Sequence, residues 1–182
     1  MAKMGIVSGF ISFIGKDETG KFFEKSMNSV GVYPYLFHSD TASGTARTII
    51  SADGERTFAT NLGASLELSE KVITPEIFRK WNYCYIEGYL LANRPVFTKT
   101  ISMAKECGCK VILDLASFNV VEDNREFLNE LLSQIDIIFA NEEEAKALTQ
   151  KSAEESLHHI AENVEIAVVK IGKKGSLIKR GD

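Results

Sequence analysis

Short apolar runs alternate with amphipathic stretches from residue 83 onward, and this alternation restricts the fold more than any other feature of the 182-residue chain. CYIEG at 84–88 precedes a helical pattern over about 94–107, and KVILDL at 110–115 precedes one over about 124–134. DIIFA at 136–140 precedes one over about 142–149. A further helical pattern over about 152–162 leads to EIAVVKI at 165–171, and SLIKR at 176–180 forms a last strand. Such an order predicts a parallel sheet flanked by helices. Ligands of these sheets bind beyond the carboxyl ends of the strands. Function is therefore sought at Glu87-Gly88, Asp114, Asn141 and Gly172.

The first third reads differently. IVSGFISFI at 6–14 is β-branched and aromatic, a strand. Asp17 is placed to N-cap a helix with Phe22, Phe23 and Met27 on its apolar stripe, and Gly31 ends it. YPYLFH at 33–38 is a short extended segment. Residues 44–52 and 55–61 form a hairpin about Asp53-Gly54, a pair favoured by type I′ turns. In its second arm Arg56, Phe58 and Thr60 share one face, and Thr57, Ala59 and Asn61 share the other. Both faces are semi-polar, so this hairpin projects as a flap rather than lying within a core.

Composition removes whole classes of function. Hydrophobic residues are 45% and charged residues 25%, a balance that supports a packed core and excludes collagen-like, coiled-coil and disordered chains. Lys plus Arg is 21 against 25 Asp plus Glu, a formal charge of −4, so no basic excess prepares it for nucleic acid. No apolar run approaches the ~20 residues that span a bilayer. Cys84, Cys107 and Cys109 form neither a CxxC motif nor a familiar zinc half-site, and read as reduced structural thiols. A cytoplasmic protein without a membrane partner is the expectation.

Polar chemistry gathers at the strand ends. Asn141-Glu142-Glu143-Glu144 follows DIIFA and opens a helix, with Asn141 as N-cap. Acidic residues there suit the helix dipole without any further role. Alternatively, Glu144 holds a hydrated Mg²⁺ beside a phosphate chain, since Mg²⁺ needs only one or two carboxylates plus substrate phosphates. Gly172-Lys173-Lys174-Gly175 is either a plain turn between strands or a place where backbone approaches a ligand closely. Neither GxGxxG nor GxxxxGK[ST] occurs, which argues against a dinucleotide-binding oxidoreductase. Glu87 is either a polyol-binding acid or a satisfied structural carboxylate. His38 and the His158-His159 pair receive no role, and no Ser-His-Asp or Cys-His arrangement is supported by the spacing.

Taken in order, six segments resemble the ribokinase (PfkB) family of sugar and nucleoside kinases. FIGKDETGKFF resembles its G-x-D-x-x-G segment, and SGTARTIISADGERTFATNLGAS resembles the flap that covers the sugar. YIEGYLL resembles the strand ending beside the substrate, and VILDLASF the next βα unit. DIIFANEEEAKAL carries N-x-x-E as Asn141 and Glu144, and VVKIGKKGSLI resembles the strand and turn that meet the nucleotide. The flap and DIIFANEEEA are closest to adenosine kinases, whereas Glu87 resembles the ribokinase branch.

The resemblance implies a ribokinase-like three-layer α/β/α sandwich with a mostly parallel central sheet and a small β-sheet lid. Lid strands would fall within about 33–62, and the α/β core within about 6–31 and 83–182. It implies transfer of the ATP γ-phosphate to a primary hydroxyl of a sugar or nucleoside, with adenosine favoured and ribose or a fructose-type sugar next. ATP and Mg²⁺ are the implied cofactors. Carried over by position, Asn141, Lys170 and Gly172 would meet the nucleotide, and Glu144 the metal. Ala46, Phe58, Thr60, Glu87 and Tyr89 would bind substrate. Lys170 stands where many members have threonine. Asp17 and Gly20 define a helix start. The family's first substrate motif (Gly-Gly…Asn) and its G-A-G-D motif, which carries the catalytic base, are absent, and Asp182 is not assigned as base. The expectation is a partial kinase domain that is inactive alone. A non-catalytic interaction protein, pairing with another copy through the lid strands, is the alternative.

Overall fold

The structure is a computed structural model that describes residues 1–54 and 56–181. Glu55, placed by sequence at the start of the second hairpin arm, and Asp182 lie outside the described residues. The chain divides into two compact units, Met1–Ser69 and Glu70–Asp182.

In the first unit, β1 (Gly9–Gly15) leads into α1 (Glu18–Ser29), and β2 (Tyr33–Ser39) pairs with β1 in parallel. The extended segment at 33–38 thus joins β1 and not the hairpin. β3 (Thr45–Ile50) and β4 (Arg56–Asn61) form a separate antiparallel pair. Every residue of both strands is exposed, as two semi-polar faces require. The turn is wider than the two residues expected. Its strands stop at Ile50 and Arg56 because Ser51 donates to the Asp53 carboxylate and Gly54 N–H donates to the Ser51 carbonyl.

Asp17 does more than cap α1. Its Oδ1 accepts from Gly20 N at 2.8 Å and from Ser43 Oγ at 2.7 Å, and its Oδ2 accepts from Ser43 N at 2.8 Å. Ser43 Oγ in turn accepts from Gly15 N at 2.9 Å. One carboxylate therefore joins the end of β1, the start of α1 and the approach to β3. These bonds, those from Gly20 and Ser43 foremost, hold its pKa below the usual carboxylate value. The approach is close enough to demand glycine at position 20, where a Cβ would sit 2.1 Å from the Gly15 carbonyl oxygen.

The second unit holds a five-stranded sheet, β5 (Tyr83–Glu87), β6 (Lys110–Asp114), β7 (Ile137–Asn141), β8 (Ile166–Lys170) and β9 (Ser176–Arg180), in that spatial order. The first four are parallel and β9 is antiparallel to β8. A short α2 (Pro75–Phe78) precedes them. The crossovers are α3 (Arg94–Glu106), α4 (Phe118–Leu131), and the pair α5 (Glu142–Thr149) and α6 (Ala153–Ala161). α4 begins six residues before the expected 124, because Val121 already belongs to its buried stripe with Leu128.

Strands that neighbour one another in chain order and cross over right-handedly carry all their helices on one face. Burial follows that rule. Ile86, Val111, Leu113, Ile138, Ala140, Ala167 and Val169 are at most 3% exposed. The alternate residues face the other way, and among them Tyr83 and Tyr85 are more than half exposed. The strands are apolar at nearly every position, as in sheets buried on both sides, yet this unit's own helices cover one side.

Candidate functional site at the strand ends

In a parallel sheet, residues in register share a face. Glu87 is paired with Asp114, Asp114 with Phe139, and Asn141 with Lys170. The carboxyl ends of β5, β6, β7 and β8 therefore carry Glu87, Asp114, Asn141 and Lys170 on one face. Lys170 Nζ lies 3.1 Å from Asp114 Oδ2, reaching across the intervening β7. Tyr85, two residues before Glu87, donates its hydroxyl to Glu87 Oε1 at 3.1 Å. Partial burial first, and then the charge of Asp114 and the bond to Glu87, raise the Tyr85 pKa.

Asp114 has further work. Its Oδ1 accepts from Ala116 N at 3.2 Å. Ala116 takes φ 64, a left-handed conformation uncommon for a residue with a side chain. Strain of this kind concentrates at functional sites, and here it lies directly after a strand end.

Asn141 and Glu144 form a complete capping box on α5. Asn141 Oδ1 accepts from Glu144 N at 2.9 Å, and the two Glu144 oxygens accept from Asn141 N and Nδ2, each at 2.8 Å. Glu144 is 3% exposed. Burial raises its pKa, and the Asn141 backbone bond and the charge of Lys170 oppose that rise. The helix-capping reading of this motif is thus realised in full. A carboxylate has about four lone-pair sites, so each oxygen keeps one for a water. That suits Mg²⁺ held through its own waters. Among the described residues no group of three or more His, Cys, Asp or Glu could hold a metal by itself.

The turn after β8 is open. Gly172 has φ 57, a Cβ built on it meets no atom within 4 Å, and the following Lys173 and Lys174 are exposed. The backbone there can be approached by a ligand. Glu87 and Tyr89 are both exposed, Tyr89 on the 3₁₀ turn Gly88–Asn93 that follows β5. In the first unit the hairpin register sets Ala46 opposite Thr60 and Thr48 opposite Phe58, so Ala46, Phe58 and Thr60 share a face. Two shallow clefts, of about 420 and 410 Å³, lie along α3 and between α4 and α5, and none of these residues lines either one.

Sequence reasoning missed Tyr85 and the partner of Asp114. The two-residue spacing of Tyr85 from Glu87 is a usable signal for the first. The second requires knowing that β6 and β8 flank one strand. The three cysteines are free, and burial pushes the Cys84 thiol up to about 12, which keeps it from acting as a thiolate. No helix among the described residues is long and apolar enough to cross a membrane.

Comparison with known proteins fits this geometry. Over 199 residues the chain is 27% identical to a 5-dehydro-2-deoxygluconokinase of Bacillus licheniformis, covering 100% of this chain and 61% of that protein. It is 29% identical over 190 residues to a ribokinase of Haemophilus influenzae, covering 98% and 60%. The crystal structure of an adenosine kinase from Sinorhizobium meliloti superposes with a TM-score of 0.90 at 24% identity, covering 99% of this chain and 57% of that one. A putative ribokinase II from E. coli, solved in complex with ATP and Mg²⁺, superposes with a TM-score of 0.85 at 21% identity, covering 98% and 61%. These superpositions show the ribokinase-like α/β fold, with its mostly parallel central sheet and small separate sheet. The chain thus spans about 60% of the length of the curated relatives it matches. The profile of pfkB family carbohydrate kinases matches residues 1–182 in full, and the chain belongs to that family.

Proposed function

We propose that the chain is part of an ATP-dependent phosphotransferase that moves the γ-phosphate to a primary hydroxyl of a sugar or nucleoside. One observation carries the reading. The carboxyl ends of the parallel strands gather Glu87, Asp114, the Asn141–Glu144 cap, Lys170 and the open Gly172 turn along one edge. Phosphoryl transfer asks a protein mainly for positioning and charge stabilisation, and this edge offers both.

ATP with Mg²⁺ supplies the phosphoryl group when bound. Gly172 admits the nucleotide to the backbone. Lys170 offers positive charge, Asn141 fixes Glu144, and Glu144 orients the waters of the metal. Glu87 and Tyr89 contact the substrate from the end of β5. The family resemblance adds Ala46, Phe58 and Thr60 of the hairpin as candidate substrate residues. Adenosine is the favoured substrate because Phe58 and Tyr89 present flat apolar faces to a base, with ribose or a fructose-type sugar next. The setting is cytoplasmic.

The sequence contains no G-A-G-D, the motif that in the resembled family deprotonates the hydroxyl. The 182 residues by themselves are therefore proposed to bind without turning over. A coupled ADP-release assay with adenosine, ribose and fructose tests this, and robust turnover by the isolated chain overturns it. A thermal-shift panel then tests the substrate. A ligand at a hundred times its dissociation constant stabilises by about 2.7 kcal/mol, and a shift with a hexose but none with adenosine removes adenosine.

One observation favours a second reading, association with another copy. Ile49, Ile50 and Phe58 are 59–67% exposed on a hairpin with open edges. Size exclusion over a range of concentrations, with and without ATP and substrate, separates a hairpin that associates from one that binds small molecules.

A further inference from the structure

At the corner where β6 and β8 end, Lys170 is a cation that the fold holds only loosely. Asn141 is occupied on both sides of its amide by Glu144, and Glu144 is occupied by Asn141. Lys170 is different. Among the described residues its side chain bonds to the two oxygens of Asp114, at 3.1 and 3.5 Å, and it is 46% exposed. A half-exposed ion pair of one lysine and one carboxylate is a weak association. It is weaker than a charge-assisted contact between an ammonium and a multiply charged phosphate chain. Asp114 meanwhile keeps other partners, with Ala116 N on Oδ1 and Tyr85 beside its carboxylate. It therefore holds its place if Lys170 leaves.

We propose that Lys170 and Asp114 form an exchangeable counter-ion pair. Asp114 parks the Lys170 ammonium at the strand ends, and an arriving polyphosphate takes that ammonium from it. This deepens the kinase reading and rests on it for the identity of the anion. It adds a residue to the site, Asp114, as a positioning and competing group rather than a ligand. The open turn at Gly172 lies two residues beyond Lys170, so a phosphate chain approaching that backbone comes within reach of a lysine side chain.

The pair predicts effects of opposite sign, which a merely structural role does not give. Removing the ammonium in Lys170→Met weakens binding of the anion. Removing the competing charge in Asp114→Asn strengthens it. The amide oxygen introduced by that change still accepts from Ala116 N, while the side chain no longer holds Lys170 by charge. With the change in charge as the driving force, Lys170→Met costs about tenfold in affinity and Asp114→Asn gains about threefold at low salt. The Asp114→Asn gain disappears in the double variant, which lacks the lysine to be released.

The experiment is isothermal titration of the 182-residue chain and the three variants with ATP plus Mg²⁺ and, separately, with inorganic tripolyphosphate. Circular dichroism melts confirm that each variant is folded. Opposite-sign shifts with both probes support the exchange. If tripolyphosphate binding depends on Lys170 but ATP gives no advantage over it, the exchange stands and the kinase reading fails. If ATP binds the parent chain and Lys170→Met binds it equally, the kinase reading stands and the exchange is overturned. Absence of any binding by both probes, or weaker binding by Asp114→Asn, also overturns it. Should Lys170→Met unfold, Lys170→Gln takes its place with the same expected loss.

Discussion

The antiparallel β3–β4 hairpin and the parallel central strands β6 and β7 have opposite surroundings. In the hairpin every residue of both strands is exposed. In β6 and β7 every second residue is fully buried, with Val111, Leu113, Ile138 and Ala140 at 0% exposure. Strand pairing by itself is a marginal source of stability, since a lone two-stranded ribbon barely holds in water. The difference teaches where each region gets its shape. The sheet is held by burial along its length. The hairpin is held at its base, where Asp17, Ser43, Gly15 and Gly20 interlock.

Substitutions break that contrast in graded ways. Leu113→Ala opens a cavity in the strand on which α3 packs and costs about 2–5 kcal/mol in chemical denaturation. Gly20→Ala acts in the first unit, where the new Cβ meets the Gly15 carbonyl oxygen at 2.1 Å. Its cost of about 1–3 kcal/mol is that of overpacking. Its distinguishing sign is faster amide exchange through the hairpin while β6 and β7 stay protected. Equal loss of protection in both regions would mean that the base of the hairpin carries no special role.

The pH response sharpens the comparison on the sheet side. Burial raises the Glu144 pKa above the ordinary value of 4.5. A raised folded-state pKa means that the folded chain binds the proton more tightly than the unfolded one. The stability this group contributes is then present below pH 4.5 and is lost as pH rises through the folded pKa. Glu144→Gln removes that contribution, so its stability declines less than the parent's as pH is raised from 4.5 toward neutrality in urea melts. The smallest effect belongs to the hairpin. Phe58→Ala, exposed at 59%, changes stability by no more than about 0.5 kcal/mol while weakening substrate binding in the thermal-shift panel.

Much of this architecture is legible in the amino-acid sequence alone. The alternation from residue 83 places each parallel strand within one or two residues, since apolar runs of that length admit few alternatives. Asn141 and Glu144 are readable as a cap because a capping box depends on three-residue spacing alone. The start of α4 is harder to place, because Phe118-Asn119-Val120-Val121 reads as well for a loop or strand as for a first helical turn. The hairpin turn is wider than Asp53-Gly54 suggests, because the Ser51 side chain competes for the turn. The Lys170–Asp114 pair and the Asp17–Ser43 link are beyond reach. Each joins residues far apart in sequence, 56 and 26 positions, whose meeting depends on strand order and on the path of the chain.

The proposed assignment puts the nucleotide at the strand ends, on residues 141–144 and 170–175, and not on the hairpin. Hydrogen exchange of the 182-residue chain, with and without ATP plus Mg²⁺, tests that assignment most directly. Slower exchange at 141–144 and 170–175, with residues 45–61 unchanged, is the predicted result. Protection of the hairpin with the strand ends unchanged, or of neither, would contradict it.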